Sequence, residues 1–236
     1  MKRQIPWART IAEGVVIVVS VLIALAADAW WDGRRDRAGE SARLSAVRSE
    51  LEDARLTYEG LVDVIASRTH LIAEVIRESS HYTASSARLD SVFFQLGPWS
   101  DPSPPTAAVD DALSGGGLSL IRSAEVRRSL GRYRTSVEAV RAEAQALRDR
   151  FESEVQFQYE YINLRRQMAT SSSAAFPVDL PEPGFVPRYE ELLQNRRFIN
   201  QMVGHAALMG RMRARTDGAL LAIDNLVALL DSLGFR

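Results

Sequence analysis

An uncharged apolar run near the start of the chain constrains its structure more than any other feature. Residues 14–27 read GVVIVVSVLIALAA and are flanked by Glu13 and Asp28. As a helix, this run would rise only about 21 Å, less than the roughly 30 Å of a bilayer's hydrocarbon core. Extended over residues 11–31, the helix rises about 31 Å, which is sufficient. The sequence therefore predicts a transmembrane helix over residues 11–31, preceded by a tail over residues 1–10.

Both ends of this segment carry residues that suit a membrane boundary. Paired tryptophans match the aromatic belt at a membrane interface. A carboxylate is tolerated near a boundary, whereas one inside the membrane is by default a functional candidate. The expected contacts with the membrane interface or with a partner are Glu13, Asp28, Trp30 and Trp31.

A cleaved signal peptide is the competing interpretation of the same segment. It would have a basic start, an apolar stretch and small-residue cleavage sites at residues 24–26 or 27–29. The tryptophan pair and the immediate helical continuation favour an uncleaved anchor. We therefore expect a single-pass protein of the bacterial inner membrane.

Basic residues flank the segment almost equally. Lys2, Arg3 and Arg9 precede it, and four arginines follow it between residues 34 and 43. The positive-inside rule then gives only a small bias. We expect the N-terminus in the cytoplasm and the following domain, residues 32–236, in the periplasm.

The rest of the chain has the heptad spacing of long packed helices. Apolar residues recur at alternating steps of three and four in three stretches, which predict long helices over 38–80, 123–170 and 188–233. The first seam contains Leu44, Val47, Leu51, Ala54, Tyr58, Leu61, Ile65, Ile72 and Val75. The second contains Val126, Leu130, Tyr133, Val137, Val140, Ala144, Leu147 and Phe151, and continues with a phase slip through Val155, Tyr159 and Ile162. The third contains Ile199, Met202, Ala206, Met209, Arg213, Thr216, Leu220, Ile223, Val227 and Leu230.

Shorter elements connect the long helices. Residues 87–96 and 106–113 are predicted to be short helices, and the SGGG sequence at 114–117 is expected to end the second of them. Proline-rich connectors are predicted over 97–105 and 170–187. The predicted fold class is all-α: an N-terminal transmembrane helix followed by an elongated antiparallel bundle of three long helices plus short helices.

Two groups of aromatic residues exceed what a simple bundle requires. Phe157 and Tyr161 lie one helical turn apart, and Phe176 and Phe185 lie in an otherwise proline-rich connector. They form either core against the shorter elements or a surface that binds a partner. Both interpretations stay open from the sequence.

Few residues of the sequence suit catalysis, metal binding or cofactor binding. Cysteine is absent, and the three histidines lie far apart and have no metal-ligand spacing. The net charge of −1 argues against a general nucleic-acid binder. No phosphate loop, dinucleotide fingerprint, zinc-protease motif or nucleophile elbow is present. We expect no enzyme activity, no catalytic residue, no cofactor, no metal and no nucleic acid.

The membrane segment resembles the opening of a large family of uncharacterised bacterial single-pass membrane proteins. In that family a glutamate begins an apolar run ending in L-I-A-L, followed by Asn or Asp and then Trp. The matches here are Glu13, residues 18–19, residues 22–25, Asp28 and Trp30.

A second stretch, residues 112–133, is also similar to that family, with its Ser-Gly turn, L-x-L-I sequence and leucine-rich helix. Asp28 and Ala29 replace the usual Asn and small residue before the tryptophan. The resemblance implies a membrane-anchored helical protein and supplies no catalytic residues.

Three classes of function follow. The leading hypothesis is an accessory subunit that binds and stabilises a larger membrane protein complex, with a respiratory or photosynthetic complex as one candidate host. The alternatives are a single-pass envelope sensor and a self-assembling coiled-coil scaffold. Its partners would be membrane lipid and either the host complex or further copies of the chain.

Overall fold

The computed structural model describes residues 7–97, 103–169, 181 and 183–235, with the side chains of 7–15 and 17 excepted. Within these residues the chain is all-helical and contains no strand. Its helices are α1 (Trp7–Glu78), α2 (Ser86–Gln95), α3 (Ala107–Leu113), α4 (Gly115–Leu120), α5 (Ala124–Gln158), α6 (Leu164–Ala169), α7 (Tyr189–Gln194) and α8 (Arg196–Ser232).

Helix α1 consists of an exposed first part and a packed second part. From Leu44 onward its heptad positions are buried, as the first predicted seam requires. This part packs mainly against α8, while the preceding residues 18–32 are exposed on every side. No helix of the part of the chain described here is long and apolar enough to cross a membrane.

Helix α8 lies between the two other long helices and contacts both extensively. Two contacts with each neighbour give its direction. Arg48 and Arg55 of α1 pair with Asp231 and Asp224, and Glu143 and Glu154 of α5 lie 2.9 Å from Arg211 and His205. Helix α8 is therefore antiparallel to α1 and α5. Because the chain returns along α1 through α3 and α4 before α5 begins, α5 runs in the same direction as α1.

Two carboxylates of α1 hold this returning segment. The Glu50 carboxylate accepts hydrogen bonds from the backbone N–H groups of Ala108 and Val109 at 2.7 and 3.0 Å, at the first turn of α3. Glu40 accepts from the N–H of Arg122 at 2.8 Å, just before α5. Carboxylates at these positions satisfy N–H groups that a helix start leaves without a partner.

Two of the predicted long helices are divided. In place of the predicted 123–170 helix, α5 begins after Ser123, its N-cap, but ends at Gln158, and the short α6 follows. The predicted 188–233 helix is broken at Asn195, whose side chain accepts from the N–H groups of Arg197 and Phe198. Asparagine favours such a cap over a helix interior, since its side chain competes for backbone donors.

The SGGG sequence follows the end of α3 at Leu113, as predicted, but its three glycines also begin a further helix, α4. The backbone is extended at Ser114, which separates α3 from α4, and the three glycines are the first turn of α4. Gly117 is buried so closely against α3 that a Cβ there would lie 2.2 Å from the Asp111 carbonyl oxygen. The glycine therefore allows close packing of two helices.

The third seam is partly out of register. Arg213 is exposed and pairs with Asp217 at 2.9 Å, while Met212 is fully buried. Ala219 and Leu226 likewise take the core positions expected for their neighbours Leu220 and Val227. The predicted residues Met202, Met209, Thr216, Ile223 and Leu230 are buried.

Candidate functional sites

The first candidate site is the exposed beginning of α1, here called the apolar segment, residues 16–31. Each of its large apolar side chains with a described position is at least 47% exposed. They are Val16, Val18, Val19, Val21, Leu22, Ile23, Leu25, Trp30 and Trp31. They surround the whole helix rather than one stripe, whereas an amphipathic surface helix keeps a polar face. The segment thus presents an all-round apolar surface that nothing in the described chain covers.

The predicted boundary residues follow this segment. Trp30 and Trp31 have ring centroids 6.3 Å apart, and the Arg34 guanidinium lies 5.6 Å from the Trp30 ring. Asp28 is exposed one turn earlier. The structure therefore places Asp28 and both tryptophans on one short, exposed stretch, while the side chain of Glu13 lies outside the described set.

The predicted aromatic surface is divided. The ring centroids of Phe157 and Tyr161 lie 5.3 Å apart, and both side chains pack against the core. Their outer sides are covered by the guanidinium groups of Arg197 and Arg188 at 4.8 and 5.1 Å. These two residues therefore belong mainly to the bundle.

The described part of the 170–187 connector is more exposed than Phe157 and Tyr161. Phe185 is 55% exposed and the adjacent Val186 is 75% exposed. Phe176 lies outside the described residues. Of the predicted partner surface, Phe185 is the residue that presents an apolar side chain to the exterior.

The second candidate site is a partly enclosed cavity of about 570 Å³ at the far end of the bundle. Arg68, which borders it, lies about 55 Å along α1 from Trp31. Side chains from α1, α2, α5, α6 and α8 line the cavity. Its apolar walls include Phe93, Leu96, Phe151, Val155, Met168 and Met202.

Charged and polar groups meet at one end of this cavity. Arg68 donates a hydrogen bond to the Gly97 carbonyl oxygen at 2.9 Å, and His205 also lines the cavity. A smaller cavity of about 20 Å³ adjoins the same two residues. That volume is enough for about one water molecule.

Beside His205 lies an ion pair whose carboxylate is buried and whose guanidinium is partly exposed. Arg150 binds Glu154 at 2.8 Å, and Glu154 is only 8% exposed. The His205 Nε2 and Glu154 Oε2 atoms are 2.9 Å apart, without the geometry of a hydrogen bond. Arg150 lies directly over Gly204, where a Cβ would be 2.5 Å from its guanidinium.

Burial determines the protonation of this cluster. Burial, with the charges of Arg150 and Arg68, lowers the pKa of His205 to about 4. Burial raises the pKa of Glu154, although Arg150 and Arg197 act in the opposite direction. Burial also lowers the pKa of Arg68. At neutral pH His205 is therefore uncharged.

Sequence reasoning missed this cavity because its residues are spread along the chain. Arg68 continues the three-four spacing of the first seam between Ile65 and Ile72, and His205 lies within a predicted long helix. Neither signal indicates a cavity, since residues of five helices line the space. Among the described residues, no group of three or more His, Cys, Asp and Glu could hold a metal ion.

Comparison with known proteins gives no relative. No protein-family model, no curated protein and no solved structure matches the chain. The resemblance carried by residues 13–30 and 112–133 therefore stays a prediction.

Proposed function

We propose that the chain is a single-pass, membrane-anchored accessory subunit that binds and stabilises a larger membrane protein complex and has no catalysis of its own. The observation that carries the proposal is the apolar segment of α1, exposed on all sides while the same helix continues into a packed bundle. The residues before Val16 extend the uncharged run of the sequence to residue 14.

The free energy gained by removing this segment from water indicates that lipid or protein covers it. Seven aliphatic side chains between residues 16 and 25 are each 47% exposed or more. Burying an aliphatic side chain contributes about 1.5–3 kcal/mol, so covering the segment contributes on the order of 10 kcal/mol. A surface of this kind indicates an interaction with lipid or protein.

The distribution of the apolar side chains favours lipid over a single protein partner. A partner helix covers one side, whereas lipid covers the entire circumference. The indole pair at Trp30 and Trp31, followed by Arg34 and Arg35, suits the passage from acyl chains to headgroups. We infer that α1 leaves the membrane at these tryptophans and that the bundle lies outside it, in the periplasm.

Binding to a host is the part of the proposal that distinguishes a subunit from an anchored sensor or scaffold. Asp28 lies next to the apolar segment, and a carboxylate there is stabilised by a partner's donor or cation. Trp30 offers a large exposed aromatic surface of the type enriched at interfaces. The host contact is therefore assigned to the stretch from Asp28 to Trp31.

A mild-detergent pull-down of the tagged full-length chain tests this assignment. We expect a stoichiometric set of membrane proteins with the wild-type chain and their loss with the Asp28→Ala, Trp30→Ala double variant. Tyr82→Ala, which removes an exposed aromatic residue in the loop between α1 and α2, is the matched control and should retain them.

Circular dichroism and an alkaline wash of the membranes distinguish loss of the host contact from loss of the fold or of the membrane anchor. The double variant should keep the helical signal and stay in the membrane fraction after alkaline washing. An eluate holding only the wild-type chain, as monomer or oligomer, would contradict the accessory-subunit proposal. Release of the wild-type chain by the alkaline wash would contradict the anchor.

A further inference from the structure

The cavity at the far end of the bundle has features that the proposed function does not use. Its volume of about 570 Å³ lies within the roughly 300–1,000 Å³ typical of small-molecule sites. A ligand there would contact five helices, α1, α2, α5, α6 and α8. The cavity lies about 55 Å along α1 from Trp31, so its role does not depend on the membrane anchor.

Apolar residues of the second heptad seam line this cavity. Phe151, Val155 and Tyr159 follow the buried Leu147 at steps of four residues, which keeps them on one side of α5 and its C-cap. In the structure Phe151 and Val155 are half-buried and Tyr159 is 43% exposed, and all three border the cavity. Because removing apolar surface from water is favourable, an apolar occupant of the cavity would be stabilised there.

The rest of the wall suits an occupant that is flexible as well as apolar. Met168 of α6 and Met202 of α8 line the cavity together with Leu96 and Leu164. Methionine adapts its shape to irregular contents because its side chain is unbranched and flexible. Such a wall suits an alkyl chain better than a rigid polar molecule.

Gln158 supplies a neutral hydrogen-bonding group to this wall. The residue is 7% exposed and lines the cavity, and its side-chain amide makes no hydrogen bond to any residue that the structure describes. A buried amide without a partner is costly, and an amide can both donate and accept. A ligand hydroxyl, which also donates and accepts, would satisfy it.

The polar groups around the cavity favour a ligand without charge. Arg68 donates to the Gly97 carbonyl oxygen, and the Glu154 carboxylate binds Arg150. His205, which also lines the cavity, is uncharged at neutral pH. Transfer of a further charged group from water into a mainly apolar space costs far more free energy than transfer of a neutral one.

We propose that this cavity binds a neutral long-chain alcohol, with the alkyl chain between Phe151, Val155 and the two methionines and the hydroxyl on the Gln158 amide. Binding is non-covalent and involves no chemical step. The concave wall favours such a small ligand over a protein partner, whose contact surface is about 800 Å² on each side.

The five methionines of the chain provide a local measurement. Full-length protein with ¹³C-methyl methionine is placed in lipid nanodiscs and titrated with 1-decanol, at a constant lipid concentration so that partitioning into the bilayer is the same in every sample. We expect saturable shifts of the Met168 and Met202 methyl signals, which line the cavity. Met212, fully buried in the bundle and not part of the cavity lining, should keep its shift and so reports an intact fold.

Variants connect the binding to the cavity and to the amide. Val155→Trp, which fills the space, should weaken decanol binding at least tenfold, whereas Val203→Trp, at an exposed position of α8, should bind as the wild type does. Gln158→Leu should weaken decanol binding about three- to tenfold, because one neutral hydrogen bond is lost. Gln194→Leu, at an exposed position of α7, is its matched control. The Gln158 variant serves as the test if the Met212 signal shows that Val155→Trp does not fold.

Four results would overturn the proposal. The first is a titration that leaves both cavity methionines unshifted. The second is equal decanol affinity for the two tryptophan variants, and the third is equal affinity for the two leucine variants. The fourth is tighter binding of decanoate than of decanol, which would assign the cavity to a charged ligand instead.

Discussion

Acidification should destabilise the bundle through His205. The ordinary pKa of histidine is 6.5, and in the folded protein that of His205 is lowered to about 4. Between these values the unfolded chain binds the proton more readily than the folded chain. Stability is therefore lost as the pH falls through 6.5 toward 4. The side chain is only 13% exposed, so solvent screening reduces this effect little.

The two pKa values give the size of the effect. The full difference corresponds to about 3.4 kcal/mol, and linkage assigns about 1.4 kcal/mol of it to the interval from pH 7.5 to 5.5. For a domain of this size that corresponds to a decrease in Tm of about 3–6 °C. Glu154 has the opposite sign, because its raised pKa lets the folded protein take up a proton as the pH falls.

Thermal melts of the full-length chain, followed by far-UV circular dichroism at the two pH values, measure the effect. His205→Gln should reduce the pH-dependent decrease in Tm by about 3–6 °C, whereas His81→Gln, at an exposed position, should leave it unchanged. Glu154→Gln should make the decrease larger than in the wild type. Equal pH dependence of the wild type and His205→Gln would refute the reasoning.

Three further predictions concern the packing, and equilibrium denaturation measures each. Gly117→Ala should destabilise the fold by about 1–3 kcal/mol, because its Cβ meets the backbone of α3. Gly116→Ala, in open space one residue earlier, should instead be neutral or stabilising by up to about 1 kcal/mol, and an equal effect of both would contradict the close-packing argument. Asp90→Ala should cost about 2–5 kcal/mol, since it removes the buried acceptor of the Tyr189 hydroxyl, and a smaller effect than an exposed Asp→Ala change would contradict this. Tyr133→Phe should cost less than about 0.5 kcal/mol, because its buried hydroxyl has no hydrogen-bond partner among the described residues, and a cost above 1 kcal/mol would indicate one.

The heptad pattern predicted the core of α1 and of most of α5, but it was wrong near the end of α5, where Phe151 and Val155 are half-buried and Tyr159 is 43% exposed. All positions of the first seam and those from Val126 to Leu147 of the second are buried. The third seam shows the limit of this signal. Around Arg213 apolar residues occupy adjacent positions, so the sequence allows two registers, and packing against both α1 and α5 selects the one that buries Met212.

Breaks in the helices depended on interactions that periodicity does not encode. Asn195 ends α7 and caps α8 because its side chain accepts two backbone N–H groups. The SGGG sequence ends α3 as predicted, but its glycines also begin α4, and α3 approaches Gly117 too closely for any side chain there. The cap at Asn195 is a local interaction, whereas the close packing at Gly117 is a contact between two helices.

The two candidate sites differ in how far the sequence alone could predict them. The apolar segment is contiguous, so the sequence alone located Asp28, Trp30 and Trp31. The cavity brings Arg68 and His205 together from positions far apart in the chain. Its existence depends on where α5 ends, which the predicted continuous helix over 123–170 hid.

The insertion of α1 into a membrane is the central claim, and single-cysteine labelling in native membranes tests it most directly. The chain has no cysteine, so each introduced thiol is unique. With a membrane-impermeant maleimide, Ser41→Cys, at an exposed position beyond the tryptophans, should react in spheroplasts. Leu22→Cys should react only after denaturation. Labelling of Leu22→Cys as fast as Ser41→Cys in intact membranes would contradict the account.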